Sequence, residues 1–260
     1  MSTDPNADAY LAFVGFYDEW TKDVEGDVDF YVRRALEADG PVIELGAGTG
    51  RIAIPTARAG VDVVAVDLSP AMLAEARKRA LAAGVSEKIT FVEADMRDYV
   101  APEPVDLITI PYRSFLHMET TDDQLACLGS VYRSLAPGGQ LALNTFVPDP
   151  MYVAGQDGRR NLHGEFTDEK GRRCELWVTP EYETTTQNVT IRAIVEAYEG
   201  DRHVETSESV LHVRMIYRYE MEHLLARAGF EIEALYGDFD ERPLTEDCRE
   251  MIWVARRPDR

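Results

Sequence analysis

The sequence predicts an α/β protein with a seven-stranded, mostly parallel sheet, helices on both faces, and an antiparallel β insertion after the fifth strand. Three observations predict this fold. Short apolar runs alternate with helical patterns over the first 148 residues, joined by short links. At Pro148 this alternation gives way to loop residues and β-rich runs. Near residue 217 the alternation resumes with one helix and two further strands.

The first forty residues predict a helical lead-in. Its apolar and aromatic residues recur every three to four positions up to a stop signal at residues 39–41. These residues are Tyr10, Phe13, Phe16, Tyr17, Trp20, Phe30, Tyr31 and Leu36.

The next elements follow in the order strand, helix, strand. A short buried strand at residues 42–45 leads through a helix at 51–59 to a valine-rich strand that ends at Asp67. Ser69 and Pro70 are typical of an N-cap and a first helical turn. The remaining core elements are a helix up to Gly84, strands at 88–92 and 105–110, a helix at 122–135, and a strand at 140–147.

The β insertion contains three β-rich runs, at about 172–178, 183–198 and 203–213, with a hairpin turn at 199–201. A helix at 220–228 and strands at 231–236 and 251–256 follow it. We therefore expect a lead-in at 1–40, a core at 41–148 and 217–260, and an insertion at 149–216. The insertion is expected to serve as a lid or a dimer contact, since exposed strand edges favour a homodimer.

Composition narrows the class of protein. The 260 residues are 45% hydrophobic, enough for a full core, and no apolar run approaches the roughly 20 residues of a membrane span. The N-terminus lacks a signal-peptide layout, and the three scattered cysteines favour a reducing compartment. A cytoplasmic protein is expected.

The net charge of −20 argues against two classes of binding partner. It repels phosphate backbones and anionic membranes, so we expect no nucleic acid and no membrane as partner. A positively charged small ligand would be attracted.

The first strand runs into a glycine turn at Gly46, Gly48 and Gly50. This G-x-G-x-G spacing is one residue tighter than the dinucleotide-binding G-x-G-x-x-G, and Arg51 stands where the third glycine would fall. The tighter turn suits a ligand with a sugar and an amino-acid tail but no pyrophosphate. Asp67, at the end of the second strand, can accept hydrogen bonds from both hydroxyls of a ribose.

The third strand ends in Asp95 and Met96, and a Leu-x-Pro-Gly-Gly turn at 135–139 precedes the fifth strand. With the glycine turn, these residues resemble the class I S-adenosylmethionine (SAM)-dependent methyltransferases over residues 40–148 and 217–256. The resemblance implies a Rossmann-like fold, SAM as cofactor and an adenine contact at Asp95. No metal is expected, since no histidine cluster supports a metal site. The implied cofactor-binding residues are Glu44, Gly46, Ala47, Gly48, Gly50, Arg51, Asp67, Leu68, Met72, Asp95, Met96 and Ile110. Asp122 and Asp123 are interpreted as a helix N-cap rather than a metal pair.

The exit of the fourth strand indicates the acceptor class. Residues 113–118 are similar to the N-S-F-x-H-L run of glycine and sarcosine N-methyltransferases, with Arg113 replacing the asparagine. Residues 110–112 lack the second proline found in nucleic-acid adenine methyltransferases. The resemblance thus favours small-molecule enzymes such as the amino-sugar and glycine N-methyltransferases.

Three residues are candidates for catalysis. His117 is interpreted as a general base or as a residue that holds the SAM tail or a loop backbone. Arg113 is assigned to a carboxylate of the acceptor, to the carboxylate of SAM, or to surface acids. The hydroxyl of Tyr17 could orient the acceptor, or the ring could belong to a helical core.

Two other classes of function are weighed. An NAD(P) oxidoreductase requires a glycine at position 51 and a Tyr-x-x-x-Lys element, and the Tyr132 segment lacks the lysine. A SAM-binding protein without catalysis shares every cofactor residue, so only methyl transfer itself distinguishes it.

Overall fold

The structure is a computed structural model that describes residues 24–148, 154, 157–168 and 170–259. The helices are α1 (Asp27–Glu37), α2 (Ala53–Arg58), α3 (Pro70–Ala82), α4 (Thr121–Ser134) and α5 (Arg218–Arg227). The strands are β1 (Val42–Leu45), β2 (Val63–Asp67), β3 (Ile89–Glu93), β4 (Val105–Ile110), β5 (Leu135–Phe146), β6 (Asn161–Thr167), β7 (Arg173–Tyr182), β8 (Asn188–Glu199), β9 (Arg202–Arg214), β10 (Glu231–Tyr236) and β11 (Glu250–Arg256). Short 3₁₀ helices span Ser86–Lys88 and Ser114–His117.

Seven strands form the main sheet in the order β10-β11-β5-β4-β1-β2-β3. The five strands from β5 to β3 are parallel, while β11 pairs antiparallel with β5 and β10 with β11. The chain order reverses between β1 and β4, and ligands of such sheets bind at the carboxyl ends beside this reversal. The predicted fold class is confirmed.

The centre of the sheet is covered on both faces. All four residues of β1 and five of the six in β4 are buried, although neighbouring strand residues point to opposite faces. Apolar runs without alternation were therefore the correct signal for these strands. Among the described residues, no helix is long and apolar enough to cross a membrane.

Helix starts follow the local capping chemistry. The Ser69 side chain accepts a hydrogen bond from the backbone N–H of Met72, with Pro70 at the first position of α3, as predicted. The cap assigned to Asp122 and Asp123 is wrong. Thr120 caps α4 by accepting from the backbone N–H of Asp123, and the two acids lie in the first turn.

α1 buries two of the three residues that the aromatic and apolar pattern predicted for its core face. Phe30, Tyr31 and Ala35 are buried, whereas Leu36 is 57% exposed. The buried face also includes Asp27 at the first turn, because this acid pairs with Arg51.

The second sheet is an antiparallel meander in the order β6-β7-β8-β9. No sequence pattern predicted β6. The strand propensity of Thr184, Thr185 and Thr186 predicted strand, but these residues lie in the turn between β7 and β8. The hairpin turn at residues 200–201 is confirmed. Gly200 adopts a φ of 62° there, in the left-handed region that favours glycine.

The described chain forms two compact units. One comprises residues 24–147 and 216–259, and the other runs from 148 to 215. The first unit holds the main sheet and the second holds the meander. The role of the insertion as a lid or dimer contact stays a prediction.

Candidate active site

The glycine turn after β1 has a backbone that other residues rarely adopt. Gly46, Gly48 and Gly50 have φ values of 72°, 54° and 83°. The N–H groups of Gly46 and Ala47 donate to the carbonyl of Val66 at 2.9 and 3.0 Å, which ties the turn to the end of β2. A Cβ on Gly46 would lie 2.8 Å from the Cβ and Oγ of Ser114. The turn and the exit of β4 therefore meet.

Asp67 ends β2 directly beside this turn. Its Oδ2 accepts a hydrogen bond from the N–H of Gly48 at 2.7 Å, and its Oδ1 accepts from the N–H of Ser69 at 2.8 Å. Burial raises the pKa of Asp67, and hydrogen bonds from the backbone of Ser69, Gly48 and Leu68 oppose that rise. A carboxylate has about four acceptor positions. Since three backbone N–H groups already donate to Asp67, about one of these positions remains available to a ligand.

Glu44 lies in β1 beneath the turn and is 3% exposed. Within the described part of the chain, its carboxylate accepts no hydrogen bond. Burial raises its pKa to about 8; the positive charge of Arg51 lowers the pKa, and the acids Asp67 and Asp27 raise it. A buried acceptor without a donor in this place suits a ligand with N–H groups.

Asp27 is a site residue that the sequence analysis missed. It is 1% exposed and pairs with Arg51, whose Nη1 donates to Asp27 Oδ1 at 3.1 Å. The Arg51 guanidinium also lies 5.1 Å from the centre of the Tyr112 ring. No local pattern distinguishes Asp27 from a solvated acid in a first helical turn, because the pairing spans 24 positions of the chain.

Asp95 follows β3 and is held by Arg97. Its Oδ1 accepts from the N–H and Nε of Arg97 at 2.8 and 3.0 Å, while Oδ2 accepts from Nε at 2.9 Å and from Nη2. Arg97 also pairs with Asp123 at 3.0 Å, which links the β3 exit to α4. Three N–H groups of Arg97 thus engage both oxygens of Asp95. An adenine amino group at this carboxylate would have to share an oxygen with Arg97.

The exit of β4 is a strained turn. Tyr112 and Arg113 have φ values of 51° and 64°, a left-handed conformation that is uncommon outside glycine. The turn leads into the 3₁₀ helix Ser114–His117, in which the Ser114 hydroxyl donates to the carbonyl of Pro111 at 2.8 Å. His117 ends this helix and is half-buried.

Arg113 pairs with a buried acid from the far end of the chain. Its Nε donates to Oε1 of Glu250 at 2.9 Å, and only 8% of the Glu250 side chain is exposed. This partner is buried, whereas one of the three predicted roles of Arg113 was a bridge between surface acids. Glu250 lies on β11, and nothing in its local sequence marked it.

The remaining predicted site residues lie on several different elements. Leu68 lies after β2, Met72 is buried in α3, and Ile110 is buried at the end of β4. The Cε of Met96 lies 3.5 Å from the position of a Cβ on Gly46. Tyr17 lies outside the described residues.

Metal binding finds no support in the part of the chain that the structure describes. No group of three or more His, Cys, Asp or Glu residues there could hold a metal ion.

Known proteins share this architecture. Residues 42–139 match a family model described as a methyltransferase domain. Over 218 residues the chain is 29% identical to the cypemycin N-terminal methyltransferase of a Streptomyces species, covering 83% of this chain and 82% of that protein.

Solved structures extend the similarity to nearly the whole chain. The CcbJ methyltransferase of Streptomyces caelestis matches with a TM-score of 0.79 and 24% identity, covering 98% of this chain and 97% of that one. The SAM-bound amino pentose methyltransferase CalS10 of Micromonospora echinaspora matches with a TM-score of 0.70 and 21% identity, over 95% and 96% of the two chains. At this identity the likeness establishes the shared fold.

Proposed function

We propose that this chain, which carries a methyltransferase domain at residues 42–139, transfers the methyl group of SAM to a small-molecule acceptor and releases S-adenosylhomocysteine. The carrying observation is the glycine turn at the sheet reversal, with Asp67 fixed beside it by two backbone N–H groups. The likeness of the whole chain to an amino pentose methyltransferase supports a small acceptor.

The chemistry of the donors and acceptors fits SAM. Asp67 keeps acceptor capacity beside its backbone hydrogen bonds, which suits a ribose hydroxyl. Glu44 offers a buried carboxylate without a hydrogen-bond donor among the described residues, which suits an ammonium group. Three glycines bring the backbone close to the ligand without side chains in between.

When bound, SAM supplies an activated methyl group on a sulfonium. The task of the protein is then alignment, exclusion of water and, where the acceptor carries a proton, its removal. Alignment of two reactants contributes roughly 7–11 kcal/mol, and a general base adds a factor of about 10²–10⁴. We assign Glu44, Asp67, Asp95 and the glycine turn to cofactor binding, and His117 to the proton of the acceptor.

Arg113 is assigned to the acceptor pocket in this proposal. Its guanidinium is held by Glu250, and it lies 5.5 Å from the Tyr112 ring and 5.8 Å from the Phe146 ring. This setting supports Arg113 as part of the wall of the acceptor pocket. The hydroxyl of Tyr17 is retained as a proposed acceptor contact.

Calorimetric titration with SAM, S-adenosylhomocysteine and NAD tests the cofactor. We expect the first two to bind with micromolar Kd values and NAD not to bind. Binding of NAD alone would overturn the proposal in favour of an oxidoreductase.

A screen of small amines, carboxylates and enols then tests catalysis. Formation of S-adenosylhomocysteine, followed by mass spectrometry, identifies the acceptor class. SAM binding without any methylated product across that screen would favour a SAM-binding protein without catalysis.

A further inference from the structure

A buried polar network lies at the carboxyl ends of β4 and β5. The carboxylate of Glu250 accepts hydrogen bonds from Nε of Arg113 at 2.9 Å and from Nδ2 of Asn144 at 2.9 Å. Oδ1 of Asn144 in turn accepts from the Tyr31 hydroxyl at 3.0 Å and from the N–H of Arg113 at 3.4 Å. Tyr31, Asn144 and Glu250 are 1%, 0% and 6% exposed.

The register of the sheet brings this network together. Glu250 stands opposite Phe146, and Asn144 stands opposite Ile252, so Glu250 and Asn144 are diagonal neighbours on one face of the β5–β11 pair. Tyr31 comes from α1, four residues after Asp27, which pairs with Arg51 from the same helical face. The network therefore joins α1, β5 and β11 to the exit of β4.

Packing alone does not explain these polar groups. An ion pair and an amide in a dry interior are seldom more stabilising than apolar side chains of the same volume, so their value lies in fixing a geometry. The geometry fixed here is the left-handed turn at Tyr112 and Arg113, in which the Arg113 side chain donates to Glu250 and the Arg113 N–H donates to Asn144. Such strained turns persist only where their surroundings hold them.

This turn also contacts the cofactor side of the site. The Tyr112 ring lies under the guanidinium of Arg51, and Ser114 packs against Gly46 so closely that no Cβ fits. A shift of the turn would move both contacts together. Glu250 on β11 thus holds the glycine turn and the 3₁₀ helix with His117 in a single arrangement.

We propose that Glu250 is a positioning residue. It holds Arg113 directly and Tyr31 through Asn144. It thereby fixes the left-handed turn at residues 112–113, which sets the following 3₁₀ helix with His117 against the cofactor-binding glycine turn. The cofactor part of this inference rests on the proposed function. Its structural part, the holding of residues 110–118, is independent of any ligand.

The test compares Glu250→Gln with Glu196→Gln by hydrogen exchange and by titration with S-adenosylhomocysteine. Glu196 is a matched control, because its carboxylate also pairs with an arginine (Arg160, 2.8 Å) and accepts a second side-chain hydrogen bond, from the Tyr198 hydroxyl (3.0 Å), but on β8 in the other unit. Circular dichroism first establishes that both variants are folded.

For Glu250→Gln we expect amide exchange at residues 110–118 to accelerate about tenfold or more, with the β7–β9 segments unchanged. The Kd for S-adenosylhomocysteine should rise about tenfold, which corresponds to about one charge-assisted hydrogen bond. Glu196→Gln should change neither quantity. Unchanged exchange at 110–118, or an equal effect of the control, would overturn the proposal.

Two further outcomes of the experiment also have a definite interpretation. If wild-type protein does not bind S-adenosylhomocysteine, the proposed function fails while the exchange experiment still tests the role of Glu250. If Glu250→Gln does not fold because it strands the Arg113 charge, the double variant Glu250→Gln/Arg113→Gln replaces it. In that variant neither member of the Glu250–Arg113 pair carries a charge, and wild-type exchange at 110–118 in it would refute the positioning role.

Discussion

A buried carboxylate without a hydrogen-bond donor opposes folding once it is charged, and Glu44 is in this position among the described residues. Its pKa rises from an ordinary 4.5 to about 8, mainly because of burial. Between these two values the folded state binds more protons than the unfolded state. The free energy of unfolding therefore falls as the pH rises from 4.5 to about 8.

Glu44→Gln should remove this pH dependence. One proton gives a slope of at most about 1.4 kcal/mol per pH unit. We expect the variant to match wild type near pH 5 and to have a higher Tm than wild type at pH 9, measured by thermal melts across this range. Glu103→Gln, which changes an exposed acid, is the control. Parallel melting curves for wild type and Glu44→Gln would contradict this account.

Asp67 is the most directly constrained cofactor candidate. Asp67→Asn keeps the shape of the side chain but replaces one of the two oxygens that accept from Gly48 and Ser69 by a donor. We expect a loss of stability of about 1–3 kcal/mol and at least a tenfold rise in the Kd for S-adenosylhomocysteine, measured by calorimetry.

Asp62→Asn serves as the comparison for Asp67. Its side chain is 69% exposed and pairs with Lys88 at 3.2 Å. It should leave both quantities unchanged. Wild-type affinity in Asp67→Asn would remove Asp67 from the cofactor site.

His117 carries the proposed proton removal. His117→Ala should lower kcat by a factor of about 10²–10⁴ with little change in the affinity for SAM. The measurement is turnover between about pH 6 and pH 9, once an acceptor is known, since wild type should lose activity as the imidazole becomes charged. If the loss in the variant were equal at every pH and wild type showed no such dependence, His117 would be a structural residue of the 3₁₀ helix.

At the scale of elements, the glycine turn depends on its contact with the β4 exit. In Gly46→Ala a left-handed φ of 72° costs roughly 1–2 kcal/mol, and the new methyl group would press on Ser114. We expect a lower Tm and loss of S-adenosylhomocysteine binding, measured by thermal melts and calorimetry.

Gly164→Ala on β6 is the matched variant for Gly46→Ala, since no atom lies within 4 Å of its new Cβ. It should behave as wild type. If Gly46→Ala bound S-adenosylhomocysteine normally, the close approach of the glycine turn to the β4 exit would not be required for cofactor binding.

The elements differ in how far local sequence determines them. β4 has the predicted bounds, because an apolar run between turn residues is a local signal. β6 was missed because its side chains are mostly exposed, and only its pairing with β7 makes it a strand. The residues at 184–186 have strand propensity, but the tight connection between β7 and β8 places them in a turn.

At the scale of the whole molecule, the charge of −20 sets the partner class. We expect no binding of total tRNA in gel-shift experiments at physiological salt, because the protein and the phosphate backbone repel each other. Binding that weakens steeply as salt is raised would contradict this expectation and indicate a local basic surface.

The sequence by itself determined the parallel sheet, the insertion after β5, the glycine turn and the acids that follow β2 and β3. These features are local, since each depends on spacing, burial pattern or turn chemistry within a few residues. Leu36 shows the limit of such reasoning, because helical spacing does not say which side of α1 meets the sheet.

Only the tertiary structure decided which charges meet. Arg51 pairs with Asp27 across 24 positions and Arg113 with Glu250 across 137 positions. Such pairs form where the strand ends of a folded sheet bring distant side chains into a low-dielectric interior, where a charge needs a partner. The residue types were visible in the sequence. Their partners were set by the fold.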